Sequence, residues 1–473
     1  MLYSIDCWMT TNKLLMREGL DTNWDSIPLK GGTSMRLTLV GTGYVGLVAA
    51  VCFAKLGHDV IAVDREPVIR GLLENKSKVW EPHLEPELAD VMAKGRLRFE
   101  TSIVKSAADA DSLMIAVGTP TRPDGQTELG HIHEVLAQLM QSGTCPPLVI
   151  IKSTVPVGTC DELEASLLAA GLHTEVAFNP EFLRQGSALH DFTAPDRIVL
   201  GCKTSQAETM LRELYEGIEA PIHVCDRRSA ELIKYASNAF LAMKISFANM
   251  MSDVCEGYGA DIRHVMNGVG ADRRIGPEFL SAGVGYGGSC FSKDLQALLT
   301  TGKLIGSKLP LLEATAKVND QRIPRMIAKL ISLWGNPLGK RLCVLGIAFK
   351  PNTNDVRDAP FLTLLAQCER HGIEVQAFDP VVAHVGAKAV KVMDSPYTAA
   401  AKADAVLIMT EWPQFAELDW PYLLHLMRQP LVLDGRNLLP DSMISQIVAV
   451  DDAVYVPVGR PMECSTSVRE ERP

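Results

Sequence analysis

At 473 residues the chain is too long for one hydrophobic core, and its length points to two or three domains. A hydrophobic content of 47% and a charged content of 22% are those of a soluble globular protein, and a net charge of −10 excludes an overall basic field for nucleic acid or anionic membrane. No apolar run reaches the roughly 18 residues of a membrane helix, and eleven scattered cysteines without a Cys-x-x-Cys pair fit reduced cytosolic thiols, with no metal site in the histidine or cysteine spacing.

Residues 1–34 are polar and irregular, contain Asp6 and Glu18, and do not read as a secretory signal. They are expected to lie outside the folded core, which opens at Met35. Arg36 to Val40 is a short apolar strand running into Gly41-Thr42-Gly43-Tyr44-Val45-Gly46 and a helical run to Gly57. A second strand, Asp59 to Val63, ends at Asp64. This glycine pattern has the strand before, the helix after and the acidic residue about 20 residues on that a dinucleotide site needs. Gly41 allows the tight turn, Gly43 lets the pyrophosphate approach the helix N-terminus, and Gly46 lets helix pack on strand. Asp64 accepts from the ribose hydroxyls and repels a 2′-phosphate, so the expected cofactor is NAD.

Further strands run from Ser112 to Val117, before Gly118-Thr119-Pro120, and from Leu148 to Ile151, before Lys152-Ser153-Thr154. Ligands of such sheets lie off the carboxyl ends of strands, which places Thr119 and Thr154 toward the cofactor or makes them turn-capping hydroxyls. Val176 to Phe178 is another strand, and Glu181 behind it is either a general base or a solvated loop acid. Ser229, a cap, opens a helix to about Tyr258 with Leu232, Ala236, Phe240, Met243, Phe247, Met250 and Val254 at helical spacing. Lys234 and Asn238 share one face, lining a cavity or lying on the surface. The helix is long enough to join two domains and carry a dimer contact.

Gly283-Val284-Gly285-Tyr286-Gly287-Gly288 precedes Ser289-Cys290-Phe291-Ser292-Lys293-Asp294. The glycines free the backbone for a ligand to lie against it. A thiol followed by Lys and Asp is either an activated nucleophile or a buried small hydrophobe. Beyond it the first half's pattern returns: a strand from Arg341 to Leu345 ends at Gly346, a helix runs from Pro360 to His371, and a strand from Glu374 to Phe378 ends at Asp379. Ala108 to Ile115 is echoed by Lys402 to Met409, and Pro147 to Ile150 by Pro430 to Leu433. The second copy lacks the three glycines and carries Phe349-Lys350 and Asp355-Val356-Arg357, where Lys350 and Arg357 meet phosphate or are ordinary surface bases. The tail after Pro461 is polar and expected to be disordered.

The fold class is therefore α/β: two Rossmann-like doubly wound domains joined by a long central helix. The boundaries are an extension over 1–34, an NAD-binding domain over 35–225, a central helical domain over 226–335, a second Rossmann-like domain over 336–460 and a tail over 461–473.

From Met35 to about residue 445 the chain resembles the UDP-glucose/GDP-mannose dehydrogenase family of nucleotide-sugar dehydrogenases. The resemblance rests on Gly41 to Leu47, Ser153 to Thr159, Asn179-Pro-Glu-Phe-Leu183, Lys234-Tyr-Ala-Ser-Asn238, Phe279 to Gly283, Tyr286 to Phe291, Lys293-Asp294 and Gly346 to Lys350. It implies a four-electron oxidation of UDP-glucose to UDP-glucuronate with two NAD reduced. Cys290 captures the intermediate aldehyde as a thiohemiacetal, and a thioester follows that water opens. The resemblance implies that Lys234 and Asn238 stabilise the oxyanion, and that Asp294, Glu181 and Thr154 handle protons and water. Substrate contacts carry over to Glu181, Phe182, Leu183, Arg184, Lys234, Asn238, Phe279, Leu280, Ser281, Ala282, Gly283, Gly287 and Lys350. Cofactor contacts carry over to Gly41, Gly43, Val45, Gly46, Asp64, Thr119, Thr154, Lys293 and Arg357. Arg274 matches an arginine that reaches the neighbouring subunit's substrate, which implies a homodimer or higher homo-oligomer. Gln185 stands where a second glutamate is common, and glutamine cannot act as a base. Ile69 stands where the family often carries a lysine. GDP-mannose is the alternative nucleotide sugar. A hydroxyacid dehydrogenase needs no thiol, and a non-catalytic sugar sensor has no use for Cys290, Lys234 and Asp294 together.

Overall fold

The computed structural model describes residues 34–74, 79–386 and 390–465. The expected extension before Ser34 and the far end of the tail lie outside the described residues. Contacts divide the chain into two units: one runs up to Thr119 and resumes over Glu128–Lys234, and the other comprises Pro120–Thr127 and the chain from Tyr235 onward.

Among the described residues the first unit holds eight strands: β1 (Arg36–Val40), β2 (Asp59–Val63), β3 (Leu97–Glu100), β4 (Ser112–Ile115), β5 (Leu148–Ile151), β6 (Glu175–Phe178), β7 (Ile198–Gly201) and β8 (Ile222–Cys225), in the order β3-β2-β1-β4-β5-β6-β7-β8. All neighbours are parallel except β6 and β7. β4 and β5 are buried along their whole length, as central strands covered on both faces must be, which is why they read as unbroken apolar runs. The direction of winding switches between β1 and β4. There Val40 lies beside both Val63 and Ile115, so the turns at Gly41, Asp64 and Ala116 open on one edge. The Tyr44–Lys55 helix packs Phe53 against Phe192 and Tyr215 on one face of the sheet, and Ile132, Leu139, Leu163 and Leu167 cover the other.

The second unit repeats this plan. β9 (Arg341–Leu345), β10 (Glu374–Phe378), β11 (Val390–Val392), β12 (Ala405–Ile408), β13 (Leu431–Asp434) and β14 (Val454–Pro457) stand in the order β11-β10-β9-β12-β13-β14, which matches β3-β2-β1-β4-β5-β6. A last strand, β15 (Glu463–Cys464), pairs antiparallel with β14. The start of the tail is thus ordered, contrary to expectation. Its backbone completes the otherwise open edge of β14, and Ser465 N–H donates to the Ala453 carbonyl.

The long helix spans Arg227–Tyr258, and the division between units falls within it after Lys234. It starts before Ser229: the Asp226 carboxylate accepts from the Ser229 N–H and hydroxyl, so Asp226 is the cap and Ser229 its partner. Glu231, wholly buried, accepts from Gly158 N–H and Cys160 N–H and so caps the Thr159–Ala169 helix, which has no side-chain cap of its own sequence.

Candidate active site

The β1 turn and its neighbours form a cleft of about 710 Å³ lined by Gly41, Thr42, Gly43, Asp64, Arg65, Val117 and Gly118 among others. Gly41 has φ +98°, and a Cβ there meets the Ala116 carbonyl oxygen at 2.7 Å. A Cβ on Gly46 meets the Gly41 oxygen at 1.8 Å, so helix and turn touch backbone to backbone. Gly43, the N-cap of the Tyr44–Lys55 helix, has nothing within 4 Å of where its Cβ would be. Its N–H and those of the half-buried Val45 turn lie at the positive end of the helix, where a pyrophosphate is stabilised. Asp64 is half-buried and accepts from Thr42 N–H (2.7 Å), Thr42 Oγ1 (3.0 Å) and Arg65 N–H (2.7 Å), which fixes its carboxylate at the cleft wall. The residues present therefore fit a dinucleotide. Thr119 is buried and donates to the Thr154 carbonyl at 2.9 Å, which ties two strand ends together.

Behind β6 stands an ion pair. Lys234 Nζ donates to the Glu181 carbonyl at 2.7 Å and to its carboxylate at 2.9 Å, both residues being buried. Burial pushes the Glu181 pKa up. The Lys234 charge and hydrogen bond, the Leu183 N–H and the Lys152 charge outweigh it, and the carboxyl is held below its usual range. Phe182 lies under the Arg197 guanidinium at 3.5 Å, and Arg184 is held by Asp191 through its backbone N–H and its guanidinium.

In the second unit Cys290 is the exposed N-cap of the Phe291–Leu304 helix. The helix end favours a thiolate, and Arg357 adds to it. The Arg357 guanidinium is raised first by the hydrogen bond it gives Asp355 and also by the charge of Cys290, so arginine and sulfur attract one another. Asp294 is 1% exposed and accepts from Asn238 Nδ2 and from Lys293 Nζ, each at 2.6 Å. The loop before the thiol is pinned by aromatic contacts: the Phe291 ring lies 6.0 Å from Phe279 and 5.8 Å from Tyr286. Phe279 takes φ +63°, a conformation costly for a bulky side chain and held by this packing.

The glycines of that loop serve the protein's own packing. A Cβ on Gly283 meets the Gly435 oxygen at 2.7 Å, on Gly287 the Asp358 oxygen at 2.4 Å, and on Gly288 the Phe349 ring at 2.7 Å. Leu280 and Ala282 are buried, and Ser281 is exposed between them. Lys350 lies 5.9 Å from the Phe349 ring. Arg274 is 88% exposed and held by Asp272. Lys293 is committed to Asp294 and Arg357 to Asp355. Sequence reasoning passed over Arg436, which donates to the Gly285 and Met409 carbonyls, and Asn249, which accepts from Gly283 N–H; both fix the loop from a distance in sequence that no local pattern signals.

A cleft at the switch point of a doubly wound sheet, with a glycine turn on one side and an acidic strand end on the other, defines a dinucleotide-binding protein. Comparison with known proteins narrows this. Residues 35–219 match the NAD binding domain of the UDP-glucose/GDP-mannose dehydrogenase family, 228–321 its central domain and 343–441 its UDP binding domain. The chain is 41% identical over 440 residues to a UDP-glucose 6-dehydrogenase of Rhizobium meliloti, covering 90% of this chain and 100% of that one. A UDP-glucose 6-dehydrogenase of Pseudomonas aeruginosa is 41% identical over 450 residues, covering 90% and 98%. The structure of a UDP-glucose dehydrogenase from Pyrobaculum islandicum superposes with a TM-score of 0.82 at 37% identity, covering 91% of this chain and 99% of that one. The chain belongs to the UDP-glucose/GDP-mannose dehydrogenase family, and its cofactor is NAD.

Proposed function

We propose that the chain is a UDP-glucose 6-dehydrogenase, converting UDP-glucose to UDP-glucuronate in two successive oxidations at C6. The observation that carries this reading is Cys290, an exposed thiol at a helix N-terminus facing Arg357, in a chain 41% identical to named UDP-glucose 6-dehydrogenases along its length. NAD, when bound, takes the hydride that leaves C6 in each oxidation. Between the two, the Cys290 thiolate adds to the aldehyde carbon, and the carbonyl oxygen takes a proton, giving a thiohemiacetal. The second oxidation leaves a thioester; water adds to it, the C–S bond breaks and the thiolate returns. Lys234 and Asn238 donate to the oxygen as it gains charge. Asp294 and Glu181 move the protons, and Thr154 holds the water. Lys350 and the Phe279–Gly283 loop take the nucleotide sugar.

Purified protein supplied with UDP-glucose should yield two NADH per sugar, and Cys290→Ser none at steady state. Release of free C6 aldehyde, or one NADH per sugar, contradicts the covalent route. GDP-mannose in the same assay tests the alternative substrate and should give no turnover.

The working form is a homodimer or a higher homo-oligomer, in the cytoplasm. Along the long helix Phe240, Phe247, Met250, Val254 and Tyr258 are exposed at a spacing that makes one stripe, which water disfavours and a second copy covers. Sedimentation of Phe247→Glu should show a smaller species than wild type; an unchanged size removes the stripe as the contact.

A further inference from the structure

Three ionisable groups are buried together in the first unit: Lys152, Glu181 and Lys234 are 3%, 8% and 3% exposed. Lys234 has its counter-ion in Glu181. Lys152 makes no ion pair among the described residues. Its ammonium donates to two neutral groups, Asn179 Oδ1 at 3.0 Å and the Tyr215 hydroxyl at 3.2 Å, and lies 6.0 Å from the Tyr215 ring. Packing does not require a charge there. Tyr215 donates to Asn179 Oδ1 at 2.6 Å, and Asn179 Nδ2 donates to the Val199 carbonyl at 3.0 Å, so both stay satisfied without Lys152. An unpaired buried cation is costly, and a position that keeps one is a candidate for function.

Lys152 follows β5 and Asn179 follows β6, so their hydrogen bond joins the carboxyl ends of adjacent strands. Asn179 is followed by Pro180 and Glu181, so the same bond anchors the turn that carries the carboxylate. Burial pushes the Lys152 pKa down to about 8, and the charge of Glu181 is the largest influence opposing that. Lys152 in turn helps to hold Glu181 low. The groups facing Lys152 are Glu181, Lys234 on the long helix, Cys52 on the Tyr44–Lys55 helix and Tyr215. Those facing Glu181 are Lys234, Lys152 and Tyr44, whose hydroxyl is itself bonded to Glu81. Two ammonium groups thus share one carboxylate, and the cluster carries surplus positive charge.

We propose that Lys152 is a positioning residue of the reaction, a second buried cation behind Glu181 that keeps its carboxylate ionised and holds the Asn179–Glu181 turn in place. This rests on the reading of Glu181 as a group that moves protons and water. Lys152 is itself buried, with its ammonium committed to Asn179 and Tyr215. It acts through Glu181, and the fold bears its burial for the sake of activity.

The test compares wild type, Lys152→Met and Lys152→Arg as full-length proteins. Titration of the Glu181 carboxylate is followed by 13C NMR on glutamate-labelled protein, with the signal identified by its loss in Glu181→Gln. In Lys152→Met the Glu181 titration should move to higher pH and kcat with UDP-glucose should fall about tenfold, less than the loss of a direct oxyanion donor. KM should change little, and Tm should equal or exceed that of wild type. Lys152→Arg should keep the wild-type titration. An unmoved Glu181 titration in Lys152→Met overturns the proposal, as does full kcat, or a fall in Tm that accounts for the lost activity. If wild type produces no NADH from UDP-glucose, the functional reading fails, and the titration still decides whether Lys152 sets the charge of Glu181.

Discussion

Gly43 and Gly46 differ in what a methyl group would meet, and that difference separates ligand binding from folding. Alanine at Gly43 enters open space at φ −68°, a conformation any residue adopts. The entropy gained from a stiffer unfolded chain is about 0.4–1 kcal/mol, and poorer N-capping by alanine offsets it, so Tm should stay within about 2 °C of wild type. The same methyl occupies the face where the pyrophosphate approaches the helix. Losing one hydrogen bond to a charged group costs about 1.5–3 kcal/mol, which is about ten- to a hundredfold in NAD affinity. Alanine at Gly46 puts its Cβ 1.8 Å from the Gly41 oxygen and 3.2 Å from Leu39 Cδ2. The first contact is backbone on backbone, so the helix must leave the strand. Such overpacking costs about 3 kcal/mol and lowers Tm by roughly 6–12 °C. Calorimetric titration with NAD and thermal unfolding of both variants decide the matter. A Gly43→Ala protein that binds NAD as wild type does, or a Gly46→Ala protein that melts with wild type, refutes the reasoning.

Three further outcomes follow from the sites. Cys290→Ser should keep the wild-type Tm to within about 2 °C, since the side chain is exposed, so that its loss of turnover reports chemistry alone. Asp294→Asn keeps one oxygen for Asn238 Nδ2 but withdraws the charge from Lys293; kcat should fall about a hundredfold with circular dichroism unchanged. Glu181→Gln leaves Lys234 and Lys152 buried without an anion and should cost about 3–5 kcal/mol at pH 7. The Glu181 pKa is depressed in the fold from an ordinary 4.5. Its stabilisation is therefore fully present above pH 4.5 and is lost as pH falls through the folded pKa. The Tm gap between Glu181→Gln and wild type should narrow as pH falls below 4.5; a gap that widens on acidification contradicts the pairing.

The strands and the glycine turn were legible because buried parallel strands leave unbroken apolar runs and a turn at φ +98° demands glycine, and both signals are local. Lys234 and Asn238 were legible as one face of a helix, but their partners Glu181 and Asp294 stand 53 and 56 residues away, and no periodicity links them. Lys152 read only as a strand end, because its burial depends on Tyr215, 63 residues on. The Gly283–Gly288 run was readable as a special backbone, yet its cause was not: the atoms that need the space belong to Phe349, Asp358 and Gly435.

The second α/β unit explains by its differences why one chain carries one dinucleotide cleft on a repeated plan. Gly346 takes φ +102° and its N–H bonds the Phe378 carbonyl, as Gly41 does with φ +98° and Val63. From there the copies diverge. Ala348 and Pro351 stand where the first copy has Gly43 and Gly46, and the next helix does not begin until Pro360, so no helix N-terminus faces the turn. Asp379, the counterpart of Asp64, is 6% exposed and accepts from Ile347, Ala348, Val381 and Val382 N–H and from the Trp412 indole. Five donors exhaust a carboxylate, and none of its capacity is left for a ribose. Trp412, four residues beyond the end of β12 as Thr119 is beyond the end of β4, is itself fully buried. The features that open the first turn to a ligand are here turned inward to hold the turn closed, so this turn offers a dinucleotide neither a helix N-terminus nor a free carboxylate.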